Sequence, residues 1–301
     1  MRVLEIFVDG FGLGIENPEI NPLVAARTPV LDKLLDGHRL CGKDMLKTSH
    51  AALIPLDAAL DMPGFPQSAT GQTTLWTGVN GAKAAGRHIN AYPTAELRQV
   101  IAERSIFKLL LSEGYTATFA NAFTPQYFNL VEEGKLKLST STLTAMAGGV
   151  ELRNLDQLKK GLSVYQDITN QLLIERGEAL PLYSGRQAGK HLAEIAIEYD
   201  FTLFEYFQTD RAGHKQDLTK GKELVELLDE FLGAVLEYLP LQDTLVILTS
   251  DHGNLEDIST KGHTLNPVPC LLLGNFENLQ YQGLNSIEQL AEFVLQVVRK
   301  H

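Results

Sequence analysis

Three aspartates and three histidines stand beside short apolar runs in a pattern suited to binding cations. Asp9 begins Asp9-Gly10-Phe11-Gly12. Asp210 and His214 stand four residues apart in Thr209-Asp210-Arg211-Ala212-Gly213-His214, and Asp251-His252-Gly253-Asn254 follows the run Thr244 to Thr249. His263 lies in a proline-stiffened segment, Gly262-His263-Thr264-Leu265-Asn266-Pro267-Val268-Pro269. Taken singly, each is an ordinary turn, a cap or a surface histidine. Gathered at one edge of a sheet, they form a set that a solvated surface would rarely assemble by chance. Aspartate with histidine is the ligand chemistry of Zn²⁺ or Mn²⁺, and six ligands suffice for two ions, three apiece. A fifth segment, Pro66 to Gly78, opens a helix with a hydroxyl-rich turn, Ser68-Ala69-Thr70. A metal-bound hydroxyl loses its proton more readily and becomes a nucleophile. Helix N-terminal amides would favour an anionic substrate.

These residues need a frame that brings them together. β-like runs occur at Val3 to Val8, Tyr115 to Phe119, Phe201 to Tyr206, Thr244 to Thr249 and Val268 to Leu273. Helical patterns lie between them. Thr28 to Leu35 starts with a threonine cap and Pro29, Ile106 to Ser112 ends against Gly114, and Gly189 to Ile197 and Gly221 to Leu239 carry apolar residues at helical spacing. Strands alternating with helices predict an α/β fold, a mostly parallel sheet sandwiched between helices. In such a sheet ligands bind beyond the carboxyl ends of the strands, where the Asp and His segments fall. If the stretch after Phe201 to Tyr206 is helical, Asp210 and His214 share one face. Residues 126–184 break the rhythm with a Ser/Thr run and Gly148-Gly149, and are expected to form a small cap-like insertion. Residues 1–125 and 185–301 then form the core.

The chain has 301 residues, 44% hydrophobic and 21% charged, which excludes disordered, collagen-like and coiled-coil classes. Its apolar runs are far too short for a membrane span. The first residues, with Glu5 inside the apolar run, predict a strand rather than a signal peptide and imply a cytoplasmic location. The formal charge of −11 argues against nucleic-acid or anionic-membrane partners. Cys41 and Cys270 are too few for a disulfide scaffold and lack a spacing partner for a zinc site. There is no internal repeat and no low-complexity tract.

The order Asp9, Ser68, Asp210-x-x-x-His214, Asp251-His252-Gly253-Asn254 and His263-Thr264-x-Asn266-Pro267-Val268-Pro269 resembles the alkaline phosphatase superfamily. The nearest branch is the metalloenzyme group of cofactor-independent phosphoglycerate mutase and phosphopentomutase. The resemblance implies one ion held by Asp210, His214 and His263, and a second held by Asp9, Asp251 and His252 together with the nucleophile. Ser68 is the implied nucleophile, ten residues before Gly78 as in related phosphodiesterases and sulfatases, and three before a glycine as in the mutases; Thr70 is the alternative. The mutases follow that glycine with His where this chain has Gln72. Ala69, Thr70 and Gln72 do not supply the sulfatase pattern.

The chemistry implied is phosphoryl transfer through a phosphoserine, with two divalent ions, Mn²⁺ first and Zn²⁺ or Mg²⁺ next. The substrate would be a small phosphorylated metabolite. The mutases are far longer, so the small insertion tilts the expectation toward a phosphomonoesterase over a phosphomutase. A phosphodiesterase and a non-catalytic binder are the other readings. Arg87, His88 and Arg211 are candidate substrate-binding residues, and Arg153 and Arg186 further basic groups near the insertion.

Overall fold

A computed structural model describes residues 1–300. Nine strands form: β1 (Arg2–Val8), β2 (Leu46–Lys47), β3 (Ala51–Leu56), β4 (Ala117–Phe119), β5 (Ala122–Phe123), β6 (Arg153–Asn154), β7 (Phe201–Tyr206), β8 (Thr244–Thr249) and β9 (Val268–Gly274). The helices of the first half are α1 (Pro22–Ala25), α2 (Pro29–Leu34), α3 (Ser68–Thr77), α4 (Gly81–Ala85), α5 (Ala95–Arg104) and α6 (Ile106–Ser112). Then come α7 (Pro125–Glu132), α8 (Thr140–Ala147), α9 (Leu155–Lys159), α10 (Gln171–Glu175), α11 (Gly185–Ala196), α12 (Gln208–Lys215), α13 (Leu218–Tyr238) and α14 (Leu290–Arg299).

Seven strands make one sheet in the order β2-β3-β9-β8-β1-β7-β4. β4, β7, β1 and β8 are parallel, and β9 runs antiparallel to both β8 and β3, so β3 regains the majority direction. This is the mostly parallel α/β sheet expected from the sequence. The reversal of β9 has a direct consequence. His263 precedes its strand, which in an all-parallel sheet would put it at the wrong edge; because β9 is reversed, its start lies beside the exit of β8.

Strand alternation divides the core into two faces. Leu4, Ile6 and Val8 join Phe204, Leu192, Leu228, Phe231 and Leu232 under α11 and α13. Val3 and Phe7 join Trp76, Phe107, Phe201 and Val294 under α3, α6 and α14. Burying each large apolar side chain contributes about 1.5–3 kcal/mol, so the layers are held mainly by these two clusters. β2 and β3 escaped the sequence reading because β3 is Ala-Ala-Leu-Ile-Pro-Leu, poor in β-branched residues and interrupted by Pro55.

Residues 126–184 contain α7 to α10 and β6. Part of the segment has its own apolar cluster, Leu155, Leu158, Tyr165 and Leu173 with Ala122. α8 is instead sunk into the main body: Ala145 joins the core beneath α3 and α6, and the Ser105 hydroxyl donates to the Thr144 carbonyl at 2.6 Å. Among the described residues no helix is long and apolar enough to cross a membrane.

Candidate metal centre

The register of the central strands brings three exits together. Phe7 pairs with Thr249 and Val8 with Tyr206, so Asp9, the loop leaving β8 and the start of α12 converge. Asp210 lies in the first turn of α12 and His214 one turn later, the shared face that the four-residue spacing demands. The Thr209 hydroxyl donates to the Asp9 carbonyl at 2.6 Å and fixes α12 to β1.

The six carboxylate and imidazole residues gather into two groups, Asp210 with His214 and His263, and Asp9 with Asp251 and His252. Within each group the potential ligand atoms lie within 4.8 Å of one another. In the first group, His214 Nε2 is 3.3 Å from both Asp210 Oδ2 and His263 Nε2. In the second, His252 Nε2 is 3.4 Å from Asp9 Oδ1 and 3.6 Å from Asp251 Oδ2. The rings of His252 and His263 stack at 3.7 Å and join the two groups. Ser68 Oγ stands 3.1 Å from His252 Nε2.

The tautomers follow from the partners of the other ring nitrogens. His214 Nδ1 meets the Lys261 carbonyl at 2.7 Å and His263 Nδ1 the Pro66 carbonyl at 2.7 Å. A carbonyl only accepts, so each Nδ1 carries the proton and each Nε2 offers a lone pair inward, as a metal-ligating imidazole does. Burial holds His252 and His263 neutral, with pKa values pushed down to about 4. Burial, reinforced by the neighbouring Asp251, raises Asp9, and burial lifts Asp251 to about 7. Asp9 Oδ1 and Asp251 Oδ1 are buried with no hydrogen-bond partner. Crowded carboxylates, orphaned oxygens and neutral imidazoles are the donor set a divalent cation satisfies, so the residues fit such ions.

Ser68 begins α3, partly open to a cavity of about 630 Å³ that it lines with Asp9, Gln72, Asp210 and Arg211. Thr70 is fully buried and its hydroxyl donates to the Gln67 carbonyl at 3.0 Å, which turns it away from the site. One expectation is corrected here. The N–H groups of Ala69 and Thr70 donate to the Ile89 carbonyl, at 3.1 and 3.4 Å, so these first-turn amides are not free for an anion. Gln72, one turn after Ser68, donates to Asp251 Oδ2 at 3.0 Å.

Of the candidate substrate-binding residues, Arg211 lines the cavity. Arg87 is exposed and His88 turns to the Met62 carbonyl at 3.3 Å; neither is on the cavity wall. Arg153 is buried against the Thr118 hydroxyl, and Arg186 pairs with Glu237 at the surface. Residues 126–184 supply Tyr127, Lys137, Tyr165 and Arg176 to the wall. Glu205, at the exit of β7, also lines the cavity and accepts from the Ser141 hydroxyl at 2.7 Å. Burial raises its carboxyl to about 7. An acid within an otherwise apolar strand was the signal for it in the sequence.

The sequence pattern of the Metalloenzyme superfamily matches residues 176–295, which run from before α11 into α14 and include five of the six clustered residues. The chain is 27% identical over 224 residues to a 2,3-bisphosphoglycerate-independent phosphoglycerate mutase of Cereibacter sphaeroides, covering 72% of this chain and 40% of that protein. Among solved structures, the PH0037 protein of Pyrococcus horikoshii has a TM-score of 0.61 at 17% identity, covering 100% of this chain and 97% of that one. An alkaline phosphatase from the Antarctic bacterium TAB5 has a TM-score of 0.56 at 13% identity, covering 99% and 97%. The chain is similar to the Metalloenzyme superfamily over residues 176–295 and shares the fold of an alkaline phosphatase. It spans 40% of the length of the Cereibacter mutase. The likeness to the Metalloenzyme superfamily implies divalent metal ions, in keeping with the two groups of candidate ligands.

Proposed function

We propose that the protein is a metal-dependent phosphoryl-transfer enzyme acting on a small phosphomonoester, with Ser68 as the nucleophile. The observation that carries this reading is the Ser68 hydroxyl standing between the cavity and the Asp9, Asp251 and His252 group, 3.1 Å from His252 Nε2. Asp9, Asp251 and His252 would hold one cation with Ser68, and Asp210, His214 and His263 the other. Mn²⁺ is the first choice for a mixed Asp/His set, with Zn²⁺ or Mg²⁺ next. Bound there, the ions would lower the pKa of the serine hydroxyl and neutralise the phosphoryl oxygens.

The chain's own residues account for the rest. Ser68 Oγ attacks phosphorus, the new O–P bond forms, and the ester P–O bond breaks with its electron pair leaving on the alcohol oxygen. α3 aims that oxygen, because Gln72 and Asp251 fix the helix one turn further on. Arg211 on the cavity wall offers a charge to the phosphate. Water then cleaves the phosphoserine and regenerates Ser68. A mutase reading is favoured by one observation: Tyr127, Lys137, Tyr165 and Arg176 of the inserted segment wall the cavity, and a wall that excludes water lets a retained hydroxyl take the phosphate instead.

The test is phosphate release from a panel of small phosphomonoesters with Mn²⁺, Zn²⁺ or Mg²⁺, in wild type, Ser68→Ala and Asp251→Ala. Metal-dependent release lost in both variants is the expected result. Phosphorylation of Ser68 by a sugar or glycerate phosphate, without release, would favour the mutase. Neither release nor phosphoenzyme would overturn the catalytic reading.

A further inference from the structure

Glu256 belongs to neither ligand group, yet its fully buried carboxylate is tied to the loops that carry both. Oε2 accepts from the backbone N–H of Gly12 at 3.0 Å and of Asn254 at 2.7 Å. Oε1 accepts from the Thr264 hydroxyl and from Asn266 Nδ2, the latter at 3.1 Å. Gly12 lies three residues after Asp9, Asn254 two after His252, and Thr264 next to His263. One carboxylate therefore joins the exit of β1, the exit of β8 and the start of β9. With four donors on its two oxygens it has no lone pair to spare for an ion.

The remaining ligand-bearing element, α12, is reached by a single relay. Asn254 Nδ2 donates to Asp210 Oδ1 at 2.7 Å and to the Asp210 carbonyl at 3.2 Å. The sequence makes room for this arrangement. A Cβ on Gly12 or Gly253 would overlap the Glu256 carboxylate, and one on Gly213 would stand 2.6 Å from the Asn254 amide. The glycines of Asp9-Gly10-Phe11-Gly12 and Asp251-His252-Gly253-Asn254 thus admit Glu256 between the loops.

We propose that Glu256 is a positioning residue that sets the geometry of both candidate metal sites together, and that Asn254 carries its hold to the Asp210, His214 and His263 site alone. The inference rests on the two-metal reading above. Groups that orient ligands without touching the ion typically change metal affinity by about 10- to 100-fold. Here the two residues differ in reach: Glu256 bonds loops belonging to both sites, whereas only the side chain of Asn254 touches Asp210.

The experiment is calorimetric titration of chelator-treated protein with Mn²⁺. Wild type is compared with Glu256→Gln and Asn254→Ala, with His214→Ala and Asp251→Ala as references for the two sites. Glu256→Gln keeps the shape of the side chain but turns an NH₂ group toward the surrounding donors. It is expected to weaken both ions by about 10- to 100-fold. Asn254→Ala is expected to weaken only the ion that His214→Ala loses. Circular dichroism and melting of the metal-free proteins establish that each variant is folded, and if Glu256→Gln does not fold, Asn254→Ala carries the test. A folded Glu256→Gln that binds both ions as wild type does, or an Asn254→Ala that weakens both equally or neither, overturns the inference. Wild type taking up no ion would instead sink the two-metal reading beneath it, so the two failures are distinguishable.

Discussion

Ser68 Oγ and His252 Nε2 are 3.1 Å apart although 184 residues separate them in the chain. The contact exists because the start of α3 lies on the loop leaving β8, and the Gln72 amide grips Asp251 Oδ2 one turn further along the helix. Ser68 and Gln72 therefore address adjacent residues, His252 and Asp251, from one helix face.

That geometry separates the two hydroxyls of the turn. Ser68→Ala should lower phosphoryl-transfer kcat by about 10⁴-fold or more, as loss of a nucleophile does. Thr70→Ala should leave a phosphorylatable Ser68 and most of the activity, because the Thr70 hydroxyl is spent on the Gln67 carbonyl. Mass analysis of the phosphoenzyme distinguishes them. A phosphate found on Thr70 would reverse the assignment.

Metal uptake should release protons near pH 6. Asp251, lifted to about 7 by burial, is largely protonated there in the metal-free protein, and a cation requires its anion. His252 and His263, pushed down to about 4, are already neutral and release almost none. Titrating Mn²⁺ in buffers of different ionisation enthalpy measures the number released, and the share from Asp251 should fall as pH rises through 7. Chelation should lower the melting temperature, since an ion at 100 times its Kd adds about 2.7 kcal/mol per site.

Much of this centre was legible because the fold concentrates chemistry at strand exits. Asp9, Asp210 and Asp251 each follow a run apolar enough to be read as a strand, and the four-residue spacing to His214 meant a shared face on the condition that the stretch is helical, as α12 is. His263 was legible as a residue but not in its placement, which depends on β9 running backwards, and pairing direction leaves no mark on one strand's composition. Glu205 and Glu256 were missed because a buried acid looks like a surface acid until its partners, Ser141 or Gly12, Thr264 and Asn266, are brought from far along the chain. Lys137 and Arg176 lie in the segment whose rhythm was least regular.

Glu5 gives the protein a pH dependence separate from the metal centre. It sits on β1, fully buried, and accepts from Trp76 Nε1 at 2.7 Å. Burial raises its carboxyl from 4.5 to about 7. Between these values the folded state binds a proton that the unfolded chain has lost, so this contribution is present below about pH 4.5 and disappears as pH rises through 7. Its size is on the order of 3 kcal/mol. Glu5→Gln keeps an acceptor for Trp76 and removes the titration. In urea unfolding at pH 5 and 8, wild type should therefore lose more stability across the interval than Glu5→Gln. Equal losses would show that Glu5 is not the group responsible.

Gly71 tests how closely α3 must approach the loop after β8. A Cβ at this position would lie 2.8 Å from the Asp251 carbonyl oxygen and 2.9 Å from Asp251 Cβ. Neither atom can swing aside, because the first is backbone and the second is rooted in the fully buried Asp251. Gly71→Ala would ordinarily favour a helix by up to about 1 kcal/mol, but here the added methyl must push the helix off the loop, an overpacking cost of about 1–3 kcal/mol. The displacement would open the Ser68 to His252 and Gln72 to Asp251 contacts together. The expected outcome is a protein that still folds, with a lower melting temperature, weakened affinity for the ion held by Asp9, Asp251 and His252, and kcat reduced more than KM is raised. Gly86, with nothing within 4 Å of an added Cβ but with φ at +70°, is the comparison: Gly86→Ala should cost stability through backbone strain while leaving metal affinity and kcat unchanged. If both substitutions reduce metal affinity alike, the effect of Gly71→Ala comes from general loosening rather than from the distance between α3 and Asp251.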